Sequence, residues 1–105
     1  MKRLVIVGAG LIGSRHVRAV TQNPDCELVG VVETDPARAA ALDVPVFARI
    51  EDIEVVVDGA IIASPTPLHP DHVRAAAARG WDVLIEKPVA ETLADADALI
   101  ATVKK

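Results

Sequence analysis

The apolar positions of this chain fall into short unbroken runs, each bounded by glycine, proline or polar residues. Leu4 to Val7, Leu28 to Val32, Gly59 to Ala63 and Val83 to Ile85 carry no charge. Runs of that length, rich in β-branched side chains and apolar at successive positions, read as strands buried on both faces. They predict strands over Arg3–Val7, Glu27–Val32, Gly59–Ala63 and Trp81–Ile85, the third extended backward by Val55–Val57. Val44–Phe47 predicts a shorter extended piece.

Between these runs the apolar spacing turns helical. Residues 11–22 place Ile12, His16, Ala19 and Val20 on one flank, and Asn23-Pro24-Asp25 ends the segment. Asp35 as N-cap and Pro36 at the first helical position predict a helix to about Leu42. A helical turn is expected at residues 50–53, and a longer helix at Asp71–Arg79 with Gly80 as its left-handed terminator. Thr92-Leu93-Ala94-Asp95 forms a capping-box pattern with Asp in place of Glu. Leu93, Ala96, Leu99, Ile100 and Val103 then line one side of a last helix. The prolines at 65, 67 and 70 predict a loop without regular structure over residues 64–70.

Strands alternating with helices imply right-handed crossovers and a parallel sheet. The predicted fold class is α/β, a Rossmann-type doubly wound sheet in three α/β/α layers, as one domain over residues 1–105. The last helix leads to no further strand. The expectation is therefore a domain that lacks its final strand and any C-terminal substrate domain.

The chemistry begins where the first strand ends. Gly8-Ala9-Gly10-Leu11-Ile12-Gly13 follows an apolar strand and opens a helix, the context in which a glycine triplet holds a dinucleotide. Gly8 permits a tight turn, Gly10 lets the backbone approach a pyrophosphate, and Gly13 lets the helix pack close to the strand. The amides and positive dipole end of that helix then face the phosphates. Glu33 ends the second strand twenty residues beyond Gly13, the place from which an acid accepts hydrogen bonds from the adenosine ribose. A carboxylate there repels a 2′-phosphate, so NAD is expected rather than NADP, although Arg38 is close enough in sequence to reach such a phosphate.

Composition removes several alternatives. A formal net charge of −4, with Lys and Arg scattered, leaves no electrostatic footprint for nucleic acid. Cys26 is alone, which excludes an intrachain disulfide and fits a reducing, cytoplasmic compartment. The first strand starts by Arg3, so no signal peptide is expected, and no apolar run is long enough for a membrane span.

Two further segments lie at predicted carboxyl ends of strands, where parallel sheets bind ligands. Ser64-Pro65-Thr66-Pro67-Leu68-His69 is either a rigid ligand-edge loop or only a proline-rich helix entry with surface histidines. His69 and His72 have metal-compatible spacing but no third ligand. Glu86-Lys87-Pro88 is either a charged pair with a helix breaker or a lysine held for chemistry.

Taken in order, the glycine turn with His16, the Ser64–His69 loop and Glu86-Lys87-Pro88 resemble the N-terminal domain of the glucose–fructose oxidoreductase and inositol dehydrogenase (Gfo/Idh/MocA) family. The resemblance covers essentially the whole chain. It implies an oxidoreductase acting on a secondary alcohol of a sugar, inositol or related polyol with NAD(H) or NADP(H). It implies cofactor contacts from Gly8, Gly10, Leu11, Ile12, Gly13, Glu33, Ala63, Ser64, Pro65, His69, Glu86 and Lys87, with Lys87 also the catalytic residue beside the substrate hydroxyl. Members carry a second domain that supplies most substrate contacts and the oligomer interface, so a homo-oligomer is expected and the isolated chain is expected to be inactive. The competing reading is a standalone NAD(H)-binding regulatory or sensing module without catalysis.

Overall fold

The computed structural model describes residues 2–85. Five strands form one sheet: β1 (Lys2–Val7), β2 (Cys26–Val32), β3 (Val46–Phe47), β4 (Gly59–Ile62) and β5 (Asp82–Ile85). The helices are α1 (Leu11–Gln22), α2 (Pro36–Ala40) and α3 (His69–Ala78), with single 3₁₀ turns at Ile50–Asp52 and Thr66–Leu68. The strand order is β3-β2-β1-β4-β5, and every pairing is parallel. This is the doubly wound order, missing only a sixth strand among the described residues.

The apolar runs form buried strands because consecutive side chains feed opposite layers. Val5, Val7, Val32, Ala60 and Ile62 pack on one face with Ile50, Ile53, Val73, Ala76 and Trp81, beneath α3 and the Ile50–Asp52 turn. Ile6, Val31 and Ile61 point the other way, with Val20 and the partly buried Val17 of α1. Arg79 ties the first layer together. It donates from Nη1 to the Ile53 carbonyl at 2.6 Å and from Nη2 to the Glu51 carbonyl at 2.9 Å, while its guanidinium lies 5.6 Å from the Trp81 ring.

The departures from expectation have local causes. Residues 55–57 do not extend β4: Val55 and Val56 are 52% and 66% exposed. The register Leu4↔Gly59 would set those residues at and before the start of β1, where no partner strand lies beside them. Of the extended piece at 44–47, Val46 and Phe47 form the strand beside β2, and the Pro45 carbonyl accepts from the Val31 amide at 2.9 Å. The proline loop is more regular than expected. The Leu68 amide bonds the Pro65 carbonyl at 2.9 Å, and α3 begins at His69 with Pro70 in its first turn, where a proline removes no intrahelical bond. Ala19 is exposed, so the buried flank of α1 centres on Val20. Gly80 takes φ +77, as its terminator role requires.

The α2 start is as expected. The Asp35 carboxylate accepts from the Ala37 amide at 2.9 Å and the Arg38 amide at 3.4 Å, with Pro36 at the first position. Asp35→Ala is expected to lower stability by about 1 kcal/mol, read as a lower denaturation midpoint at unchanged slope. The helix stops at Ala40 rather than Leu42. The predicted last helix, with its stripe of Leu93, Ala96, Leu99, Ile100 and Val103, lies outside the described residues.

Candidate functional site

Strands β1 and β4 are neighbours, yet the chain leaves them in opposite directions. After β1 it crosses through α1 on one face to β2, and after β4 through α3 on the other face to β5. The two connections part at the carboxyl ends and open a crevice, the place where sheets of this kind bind ligands. A cleft of about 330 Å³ lies there. Val7, Gly8 and Gly10 form its floor and one wall, Val32, Glu33, Thr34 and Arg38 a second, and Ala63, Ser64, Pro65, Leu68 and His72 the third, with Ala48 at the edge.

The glycine turn is built by contact. Gly8 has φ +95, which L side chains avoid, and a Cβ there would sit 2.8 Å from the Ser64 backbone. A Cβ at Gly13 would collide with the Gly8 carbonyl, so the first turn of α1 can lie on the strand end only without one. Gly10 is different. A Cβ there would meet only the Arg38 guanidinium, at 3.6 Å, and Gly10 borders the cleft. Gly10 is the N-cap of α1 and provides no side-chain cap. The first amides of α1, including those of Leu11 and Ile12, have no intrahelical acceptor, so they are donors for an anion at the turn.

Glu33 faces the turn from the end of β2. Its Oε1 accepts from the Ala9 amide at 2.7 Å and its Oε2 from the Asp35 amide at 3.0 Å. The carboxylate thereby bridges the glycine turn and the start of α2. Each carboxylate oxygen keeps a second lone pair, so hydroxyl donors can still be accepted from the cleft. Arg38 closes this end.

At the third wall both histidines converge on Ser64. His69 is 1% exposed, and its Nε2 lies 2.8 Å from the Ser64 carbonyl oxygen. His72 borders the cleft, and its Nδ1 lies 2.7 Å from Ser64 Oγ. Burial pushes the His72 imidazole below the ordinary histidine range; Asp71 and Glu51 act against that shift and His69 adds to it. The neutral ring therefore prevails at pH 7.

The structure thus brings Gly8, Gly10, Glu33, Ala63, Ser64 and Pro65 to one cleft, with Leu11 and Ile12 opening α1 beside it and Gly13 fixing that helix. His69 stands behind the wall and holds the Ser64 carbonyl. Glu86 and Lys87 lie outside the described residues. His72 is the cleft residue that sequence spacing pointed to only as half of a metal pair. Its signal was a position one helical turn past a ligand-edge loop. A second groove, about 410 Å³, lies between α1 and residues 41–44. It is larger, but it sits away from the strand ends and is bordered by Val17, Arg18, Thr21 and Leu42 rather than by the glycine turn.

Comparison with known proteins bears on this cleft. The family model described as an oxidoreductase family with an NAD-binding Rossmann fold (Gfo/Idh/MocA) matches residues 2–105. The chain is 33% identical over 92 residues to inositol 2-dehydrogenase of Rhizobium meliloti, covering 83% of this chain and 28% of that protein. It is 33% identical over 110 residues to glucose-6-phosphate 3-dehydrogenase of Bacillus subtilis, covering 100% of this chain and 31% of that protein. Among solved structures it superposes with a TM-score of 0.88 and 29% identity on the WlbA dehydrogenase of Bordetella pertussis, crystallised with NADH and UDP-GlcNAcA, over 98% of this chain and 33% of the other. The chain spans about a third of the length of these relatives. No helix among the described residues is long and apolar enough to cross a membrane.

Proposed function

We propose, from the premise that this chain belongs to the Gfo/Idh/MocA family of oxidoreductases with an NAD-binding Rossmann fold, that it is the cofactor domain of a dehydrogenase acting on a secondary alcohol of a sugar, inositol or related polyol. The observation that carries the reading is the Gly8–Gly13 turn facing Glu33 across the switch-point cleft. An NAD molecule fits this donor set. Its pyrophosphate would be held by the α1 amides beside Gly10, where no side chain intrudes, and its adenosine ribose by Glu33. When bound, it supplies a nicotinamide carbon that accepts or donates hydride. Ser64 and Pro65, at the opposite wall, would border its other half.

The chain's own residues position and exclude. The buried Val7 and Val32, at the ends of β1 and β2, give the cleft an apolar lining. His69 fixes the Ser64 carbonyl, so the wall keeps its shape. Lys87, two residues past the end of β5, is assigned the substrate hydroxyl, whose oxygen it would hold or, as the neutral amine, deprotonate. This assignment rests on the family resemblance of Glu86-Lys87-Pro88. The relatives' dehydrogenase names support the alcohol substrate class. We further assign the protein to the cytoplasm and to a homo-oligomer, whose interface would come from chain beyond this domain.

Glu33→Ser tests the ribose assignment. The substitution removes repulsion of a 2′-phosphate, but it also removes the bonds to the Ala9 and Asp35 amides, so affinity for both cofactors falls. The readout is therefore the ratio. The NADP/NAD affinity ratio should rise by on the order of 1–2 kcal/mol of differential binding. A ratio unchanged in calorimetric titrations would place the ribose elsewhere.

A further inference from the structure

His72 has no place in the dinucleotide reading of the glycine turn, yet it borders the same cleft and is joined to a wall residue. The geometry points to a role: we propose that His72 is a positioning residue for the cofactor, setting through the Ser64 hydroxyl whether that wall offers the cofactor a hydrogen-bond donor or only an acceptor. The proposal rests on the dinucleotide reading of the cleft.

Ser64 Oγ and His72 Nδ1 are 2.7 Å apart, and both residues border the cleft. A hydroxyl carries one proton. When Nδ1 is unprotonated, Ser64 donates that proton to the ring and shows the cleft lone pairs only. When His72 is protonated, Nδ1–H donates to Oγ, and the hydroxyl proton is free to turn into the cleft. The Ser64 backbone cannot swing away to escape this exchange, because His69 holds its carbonyl at 2.8 Å. The Ser64 Cα also lies against Gly8, where a Cβ would come within 2.8 Å of it.

The charged and titratable neighbours set the balance. Asp71 on α3 and Glu51 in the turn beneath it favour the imidazolium; burial and His69 oppose it. Asp71 is itself paired with Arg74 at 2.7 Å, which weakens its pull. The free protein therefore keeps His72 neutral at pH 7, and with the ring proton on Nε2 the Ser64 hydroxyl is turned inward to Nδ1. A bound pyrophosphate adds negative charge and accepts hydrogen bonds only. Acting across the cleft, that charge favours the imidazolium, and with it the Nδ1–H that frees the hydroxyl proton. Binding then raises the proton affinity of His72, and by linkage cofactor affinity must rise as pH falls through its titration.

The test is NADH titration by calorimetry, from about pH 8 to about pH 5.5, the range in which histidine titrates. Wild-type affinity should rise by about threefold to tenfold, the scale of one charge acting across a partly solvated cleft. Repeating the titration in buffers of different ionisation enthalpy should show proton uptake. His72→Asn keeps a polar partner for Ser64 but cannot take the proton, so its affinity should be flat with pH. Ser64→Ala keeps the charge and loses the exchange, so its rise should be smaller than that of wild type. Because a variant can lose its fold, the wild-type His72 ring resonances are also followed with pH, with and without saturating NADH. The midpoint should move upward on binding. NADH binding with an unmoved midpoint, or a pH dependence that persists in His72→Asn, would overturn the role of His72 and leave the cofactor reading standing. A Ser64→Ala profile equal to wild type would overturn the exchange through Ser64. No NADH binding at any pH would overturn both.

Discussion

Gly13→Ala should destabilise this domain by about 3 kcal/mol or more, a large share of the total stability of a small domain. Helix propensity alone predicts the opposite. Gly13 lies within α1, and replacing a helical glycine by alanine ordinarily stabilises by about 1 kcal/mol. Here the added carbon has no room. It would collide with the Gly8 carbonyl oxygen, and that oxygen belongs to backbone at the end of a buried strand. Gly8 cannot yield, because its φ of +95 and its contact with the Ser64 backbone already fix it. The helix start must therefore lift from the sheet, separating Val17 and Val20 from Ile6, Val31 and Ile61. Denaturant unfolding reads the loss directly. A variant as stable as its parent would show that α1 does not dock through Gly13.

Gly10→Val should do the reverse, keeping the fold and losing the ligand. Gly10 has φ −69 and ψ −162, extended backbone open to any residue. Its added Cβ would make ordinary contact with the Arg38 guanidinium at 3.6 Å, the flexible end of an exposed side chain. Stability should fall by less than about 1 kcal/mol, the difference between glycine and an apolar residue at an N-cap. The branched side chain nevertheless fills the approach to the α1 amides. NAD affinity should drop by about 100-fold or more, equivalent to ~2.7 kcal/mol. Calorimetry with a melting curve on the same sample separates the two effects. Undiminished binding would remove the pyrophosphate from the glycine turn.

The contrast between these two glycines shows what was legible in the sequence. Their spacing, and the strand before them, are written in the residue order, because an unbroken apolar run and a glycine triplet are local patterns. So were the parallel order and the Asp35 cap. What the sequence could not show is what meets what across the sheet. That Glu33 bonds the Ala9 amide, that Ser64 presses on Gly8, and that His69 and His72 both reach Ser64 depends on the register between β1, β2 and β4. The proline segment misled for a related reason. Prolines at 65, 67 and 70 exclude a strand but not a 3₁₀ turn and a helix start, and the wall that carries Ser64 is built from those two elements. Val55 to Val57 look like strand by composition, and only the missing partner beside them makes them otherwise.

The central claim is that the dinucleotide lies in the switch-point cleft, with its phosphates at the start of α1. Backbone amide resonances of the isotope-labelled chain, followed while NADH is added, test this most directly. The account predicts that the largest shifts fall on Gly8 to Gly13, on Glu33 to Asp35 and on Ser64, all bordering or adjoining the cleft. Shifts concentrated instead on Thr21, Gln22 and residues 41–44, around the larger groove beside α1, would contradict it.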